Sequence, residues 1–190
     1  MRLFVGLPLP RWVRDELAGA LGPHRAAWPG LRWPDPETWH VTLAFLGEVP
    51  EEVRPDLETR LARAASRHAP MTLSLVGAGA FPSARRARVF WTGLYGPRLR
   101  LVRLAGSLGA GAERAGAVQT DRRPLRPHLT LARSRTDVDL SRLVEDFGPF
   151  AGSSWEAGEV HLVRSHLGAV VRYETVATYP LAARAPGGQS

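Results

Sequence analysis

One short phrase occurs twice in this chain of 190 residues: His40-Val41-Thr42-Leu43-Ala44 and His128-Leu129-Thr130-Leu131-Ala132, 88 residues apart. Each copy reads as a β-strand. With a side-chain period of two, His and Thr project from one face while Val41 and Leu43, or Leu129 and Leu131, project from the other. Each strand therefore offers an imidazole and a hydroxyl to a cleft and an apolar face to a core. The similarity extends further, because Gly6-Leu7-Pro8-Leu9-Pro10-Arg11 recurs as Gly93-Leu94-Tyr95-Gly96-Pro97-Arg98, offset by 87. A one-residue slip is an ordinary loop indel. After the motifs, Thr72-Leu73-Ser74-Leu75-Val76 precedes Val160-His161-Leu162-Val163-Arg164 by 88, and both are strand-like runs. The chain reads as a duplicated half.

A chain of this length with 44% hydrophobic residues buries a real core, as one domain or two small lobes sharing a cleft, and falls outside the disordered class. It has no cysteine, which excludes disulfides and thiolate metal sites. The opening Met1-Arg2-Leu3-Phe4-Val5-Gly6-Leu7-Pro8 is too quickly broken by proline for a signal peptide, and no apolar run approaches the ~20 residues of a membrane span. A cytoplasmic protein with no membrane contact is expected. The net charge of +7 and pI near 11.2 point to a polyanionic partner. All 25 basic residues are Arg, however, in a chain rich in Ala, Gly and Pro, as a GC-rich genome produces unaided. Local clustering weighs more than the total: Arg85-Arg86-Ala87-Arg88, and Arg122-Arg123 with Arg126.

The same order of elements reads twice. A strand over Arg2 to Leu7 leads to an amphipathic helix from Pro10 to about Leu21. The proline-rich loop from Trp28 to Pro36 delivers the first motif strand, His40 to Leu46, stopped by Gly47. A helix from Glu51 to about His68 carries the stripe Leu57, Leu61 and Ala64 or Ala65, and Met71 to Val76 is the third strand. In the second half come a strand over Val89 to Leu94, a helix from about Pro97 to Ala115 with Leu101, Leu104 and Leu108 on one side, and the motif strand His128 to Ser134. A helix from about Asp139 to Phe147 then precedes strands near Trp155 to Arg164 and Val170 to Pro180. The expected architecture is α+β: two βαβαβ halves, about 1–78 and 88–165, with helices outside and motif strands facing each other. An extra strand at about 170–181 and a frayed tail from Ala185 complete it, residues 1–184 forming one bilobed domain.

Two facing imidazoles supply a general base and a general acid together, since an unperturbed histidine titrates near pH 6.5. Phosphoryl transfer at a phosphodiester suits the pair. The base deprotonates the attacking oxygen, the acid protonates the leaving oxygen, and each contributes typically ~10²–10⁴ in rate. Thr42 and Thr130 can donate to non-bridging oxygens while an Arg neutralises charge. No metal or cofactor is required. Packing explains Leu43 and Leu131 but not the polar His and Thr on the opposite face. Other candidates are weaker. His161 and His166 fall on opposite faces of a straight strand and make a poor metal pair. His24 and His68 sit at helix ends, and the glycine-rich Gly106 to Gly111 lies inside a helix pattern. Trp39 points away from His40 by parity, which leaves Trp33 as the better base-stacking residue.

At these residues the chain resembles the two-histidine (2H) phosphoesterases, and among them the bacterial and archaeal RNA 2′,3′-cyclic phosphodiesterases, also called the 2′-5′ RNA ligase family. The carrying stretches are Met1 to Leu7, His40-Val41-Thr42-Leu43-Ala44-Phe45-Leu46-Gly47, Gly79-Ala80-Phe81-Pro82, Val89-Phe90-Trp91, Arg126-Pro127-His128-Leu129-Thr130-Leu131-Ala132-Arg133, and Ser165-His166-Leu167 with Tyr173 and Pro180-Leu181. The resemblance implies a bilobed, pseudo-twofold fold with antiparallel sheets lining a central cleft. It implies metal-free hydrolysis of a terminal RNA 2′,3′-cyclic phosphate to a 2′-phosphate, with ATP-independent 2′-5′ joining of RNA ends as a related activity. By the family pattern His40 and His128 are catalytic. The two copies are nearly symmetrical and leave open which ring is acid and which is base, the division expected here being His40 as acid for ribose O3′ and His128 as base for water. Thr42 and Thr130 bind phosphate and Arg133 assists. Arg133, five residues after His128, has the wrong strand parity and reaches a phosphate only where the strand twists or ends. The partner implied is RNA with cyclic phosphate ends, or a related nucleotide, bound by a monomer with no obligate protein partner. Two alternatives remain: a phosphodiesterase for a small cyclic nucleotide or ADP-ribose cyclic phosphate, and a non-catalytic module that binds RNA ends.

Overall fold

The computed structural model describes residues 1–117, 125–168 and 171–182. The Arg122-Arg123 run and the tail from Ala185 lie outside these described residues. The first repeat comprises β1 (Arg2–Pro8), α1 (Arg11–Ala27), β2 (His40–Glu48), α2 (Arg54–Ala65) and β3 (Met71–Pro82). The second comprises β4 (Ala87–Tyr95), α3 (Arg98–Arg114), β5 (His128–Val138), α4 (Ser141–Phe147), β6 (Trp155–Ala157) and β7 (Glu159–His166), and β8 (Arg172–Pro180) follows.

Local chemistry accounts for most boundaries. Pro10 precedes α1, whose Val13, Leu17 and Leu21 recur at helical spacing and are buried. This helix outlasts its predicted end at Leu21 and runs through Pro23 to Ala27. A proline this near the C-terminus costs one hydrogen bond, and the last turn is held by the ring of His24, edge-on to Phe147 at 5.4 Å. A short 3₁₀ turn, Glu51–Val53, occupies the start of the longer helix that the sequence predicts, and α2 begins after it. The strands β3 and β5 are longer than their apolar runs, because pairing with β4 continues past Val76 and Ser134 across irregularities in register.

Two four-stranded sheets result, ordered β2-β1-β7-β8 and β5-β4-β3-β6, every neighbour antiparallel. The two orders are related by the repeat: β2 corresponds to β5, β1 to β4 and β7 to β3. Each sheet therefore takes its first two strands from one repeat and its third from the other. The apparent single strand region Trp155 to Arg164 breaks at Gly158, where the chain leaves the second sheet and enters the first.

Helices cover the outer faces. Leu57, Leu61, Ala64 and Ala65 of α2 and Leu101, Leu104 and Leu108 of α3 are all buried in one continuous core. Of the glycine-rich run in α3, Gly111 is a point of close packing, since a Cβ there would stand 3.4 Å from the Arg60 carbonyl oxygen of α2. The inner faces line a central cleft. Among the described residues no helix is long and apolar enough to cross a membrane.

Candidate active site

Each motif histidine opens its strand and is oriented by the backbone two residues earlier. His40 Nδ1 lies 2.7 Å from the Thr38 carbonyl, and His128 Nδ1 lies 2.5 Å from the Arg126 carbonyl. A carbonyl only accepts, so Nδ1 carries the proton in both rings and Nε2 is left as the proton-free nitrogen. On the first side the supporting turn is itself tied down. Asp35 accepts from the Glu37 amide at 2.9 Å, and the Thr38 hydroxyl donates to the Asp35 carbonyl at 2.7 Å.

Aromatic rings enclose both imidazoles. Phe4 stacks on His40 with centroids 4.3 Å apart and planes at 24°, and Tyr173 meets it edge-on at 5.1 Å. Phe81 meets His128 edge-on at 5.0 Å, with Trp91 tilted beside it at 6.2 Å. Phe4 and Trp91 occupy equivalent positions, related by the 87-residue offset of their strands. Burial pushes the His40 imidazole down to about 4, against a smaller opposing pull from the Thr38 carbonyl. His128 is also lowered, chiefly by burial; the Arg126 carbonyl opposes this and the nearby Arg133 charge adds to it. Both rings are therefore neutral at pH 7 in the free protein.

Glycines make room for this enclosure. A Cβ at Gly6 would stand 3.3 Å from His40 Cδ2 and 3.1 Å from the Val41 carbonyl oxygen. At Gly79 it would lie 2.2 Å from the Trp91 ring, so only glycine lets that indole lie flat against β3. Thr42 pairs with Gly6 and Thr130 with Trp91, which puts both half-buried hydroxyls on the histidine face.

Arg133 also reaches that face, and its expected parity problem is removed by a bulge. Trp91 pairs with Thr130, Phe90 with Ala132 and Val89 with Arg133, so Leu131 is skipped and the alternation resets. The first motif has the same irregularity: Gly6 pairs with Thr42, Val5 with Ala44, and Phe4 with Phe45. Phe45 thus stands where the second half has Arg133. The two motif strands approach each other, and the loop before β2 pairs with β5 through Arg32 and Arg133, with N···O distances of 2.8 and 2.9 Å.

Other residues fall elsewhere. Trp33 is half-buried, donates its indole N–H to the Trp28 carbonyl at 3.0 Å and stands edge-on to Phe90, so it belongs to packing and not to a stacking wall. Trp39 is buried in the core. The rings beside the histidines are Phe4, Phe81, Trp91 and Tyr173, whose signal in the sequence was the 87-residue correspondence of Phe4 with Trp91. His161 bonds Glu159 and His166 bonds Glu174, each at 2.8 Å. His68 bonds Ser107 at 2.9 Å between α2 and α3. Among the described residues no group of three or more His, Asp or Glu is placed to hold a metal ion. Of the arginine cluster, Arg86 and Arg88 both converge on Asp137, at 3.0 and 2.5 Å, which holds its carboxyl below the usual range.

The chain is similar to known proteins over most of its length. A family described as LigT-like phosphoesterase matches residues 7–91. The RNA 2′,3′-cyclic phosphodiesterase of Escherichia coli (strain K12) is 35% identical over 137 residues, 72% of this chain and 74% of that protein. The protein of the same name from Geobacillus stearothermophilus is 30% identical over 188 residues, 98% of this chain, which spans only 59% of that relative's length. Among solved structures, TT0787 of Thermus thermophilus superposes with a TM-score of 0.83 at 32% identity, covering 97% of this chain and all (100%) of that one.

Proposed function

The chain belongs to the LigT-like phosphoesterase family, and from that membership we propose that it hydrolyses the 2′,3′-cyclic phosphate at an RNA 3′ end to a 2′-phosphate, without a metal. The observation that carries the reading is the paired tautomer lock: two histidines, each bonded through Nδ1 to the carbonyl two residues before it, leave two Nε2 atoms for one substrate. A cyclic phosphate needs one group on the attacking oxygen and one on the leaving oxygen.

In this reading Thr42, Thr130 and Arg133 hold the non-bridging oxygens. His128 Nε2 takes a proton from water as the water oxygen bonds to phosphorus. The P–O3′ bond breaks and His40 Nε2 protonates O3′, leaving the phosphate on O2′. Burial disfavours a proton on both rings, and the Arg133 charge adds to this at His128, so the division of labour is a proposal on the order of the two motifs and not on their proton affinities. The phosphate anion restores a proton to His40 when it enters the desolvated site. A 5′-hydroxyl in place of water would yield a 2′-5′ bond by the same proton transfers, which extends the proposal to ATP-independent joining of RNA ends. The family relatives' names support an RNA substrate over a free small cyclic nucleotide.

The test is turnover in EDTA of a short RNA ending in 2′,3′-cyclic phosphate, with identification of the product terminus. A 2′-phosphate product is expected from the wild type, with rates lowered ~10²–10⁴-fold in both His40→Ala and His128→Ala. Tight binding of the RNA end with no turnover would instead establish a binding module.

A further inference from the structure

We propose that Arg32, paired with Arg133 across the chain, forms a second anion subsite that receives the phosphate on the 5′ side of the terminal nucleotide. The protein then prefers an RNA chain to a lone nucleoside cyclic phosphate. This inference rests on the cyclic phosphodiesterase reading of the same cleft.

Arg32 and Arg133 are directly opposite one another, with main-chain hydrogen bonds running both ways at 2.8 and 2.9 Å. Opposed partners project to the same side, and like charges so placed repel. Both side chains are exposed, and neither has an acidic partner among the described residues. Many other arginines in this chain are treated differently. Arg54 bonds Glu58, Arg60 bonds Asp56, Arg14 meets Glu37, and Arg86 and Arg88 share Asp137. The pair beside His128 has the repulsion without the carboxylate, an arrangement that an anionic ligand stabilises.

The place of Arg32 decides which anion it takes. Arg133 lies close enough to His128 to lower its proton affinity. Arg32 stands one strand spacing, about 4.8 Å, to the side of Arg133, beyond the edge of β5 in the loop that leads into β2. With Arg133 on the phosphorus held at the histidines, Arg32 is the cation beside it for a neighbouring anion. In a terminal 2′,3′-cyclic phosphate both ribose hydroxyls are closed into the ring, so the chain continues only through O5′. The next anion is therefore the 5′ phosphate, which a lone nucleoside 2′,3′-cyclic phosphate lacks. Because main-chain atoms make the bridge, the side chain of Arg32 can be replaced without releasing the loop.

The experiment compares wild type, Arg32→Ala and Arg32→Lys on adenosine 2′,3′-cyclic phosphate and on the ApA dinucleotide ending in the same group. For Arg32→Ala, kcat/KM on the dinucleotide falls about ten-fold, mostly through KM, as expected for one lost charged contact. Its rate on the mononucleoside stays within about two-fold. Its log–log salt slope on the dinucleotide becomes shallower by about 0.7, and Arg32→Lys retains most of the preference. Equal losses on both substrates, or none on the dinucleotide, overturn the subsite while leaving the proposed reaction intact. Wild-type protein that hydrolyses neither substrate overturns the reaction, and the subsite with it.

Discussion

At the scale of the residue, the site depends on holding two imidazoles neutral and facing inward. Burial lowers both, His40 to about 4 and His128 to a value under its ordinary 6.5. Lowering means that the charged form is disfavoured, so each ring gains its proton only at a pH below 6.5. Turnover needs one ring protonated and the other neutral. For the free enzyme this fraction rises as pH falls from 7, and it is lost again below about 4 when both rings are charged. The expected kcat/KM profile is a bell with its maximum between about pH 4 and 6.5. Bound phosphate favours the protonated form, so the kcat maximum lies at higher pH than that of kcat/KM. Initial rates across pH 4–9 check both; a kcat/KM optimum at or above pH 7 would falsify the burial argument. That His40 with Thr42 and His128 with Thr130 share one strand face was legible from parity and repetition, because a polar pair on one face, repeated, has no packing explanation. Their tautomers were not legible, since the carbonyls of Thr38 and Arg126 become partners only through local backbone geometry.

At the scale of the element, two bulges and one glycine do what alternation alone does not. Strict period two sends Arg133 away from His128, and the skipped Leu131 returns it. A bulge has no signature in an apolar run, because it arises from pairing with β4, so spacing alone puts Arg133 on the inner face only where the strand twists or ends. The same shift places Phe45 at the equivalent point, so the two halves of the cleft differ there by a cation on one side and a ring on the other. The enclosure of His128 rests on Gly79, against which Trp91 lies while also packing on Phe81 at 5.2 Å. Gly79→Ala displaces the indole. It is expected to cost about 1–3 kcal/mol of stability, the usual range for overpacking, and to lower kcat/KM as the wall of His128 shifts. Gly30→Ala, where a Cβ meets nothing within 4 Å, is the control. Thermal melts and steady-state kinetics of the two variants side by side test this, and an indistinguishable pair would remove Trp91 from the account.

At the scale of the whole molecule, the duplication in the chain is not a division in space. Each repeat sends its third strand to the other sheet, β3 to the β4–β5 pair and β7 to the β1–β2 pair. A fragment of residues 1–82 would leave β1 without β7, and β3 without β4 and β6. It is expected to be unfolded alone and to recover strand content when mixed with the fragment from residue 83 onward. Circular dichroism of each fragment and of the mixture measures this, and an independently folded first fragment would show that the exchange is dispensable. By itself the sequence determined the repeat, the order of elements, the core stripes of α2 and α3, and the polar pair on each motif strand. These are properties of spacing, and periodicity is written residue by residue. Only the tertiary structure decided which strands share a sheet, which rings enclose the histidines, and that Arg133 turns inward. Those outcomes depend on pairing between segments far apart in the chain, where register, bulges and close backbone approach are settled by the partner strand and not by the strand's own residues.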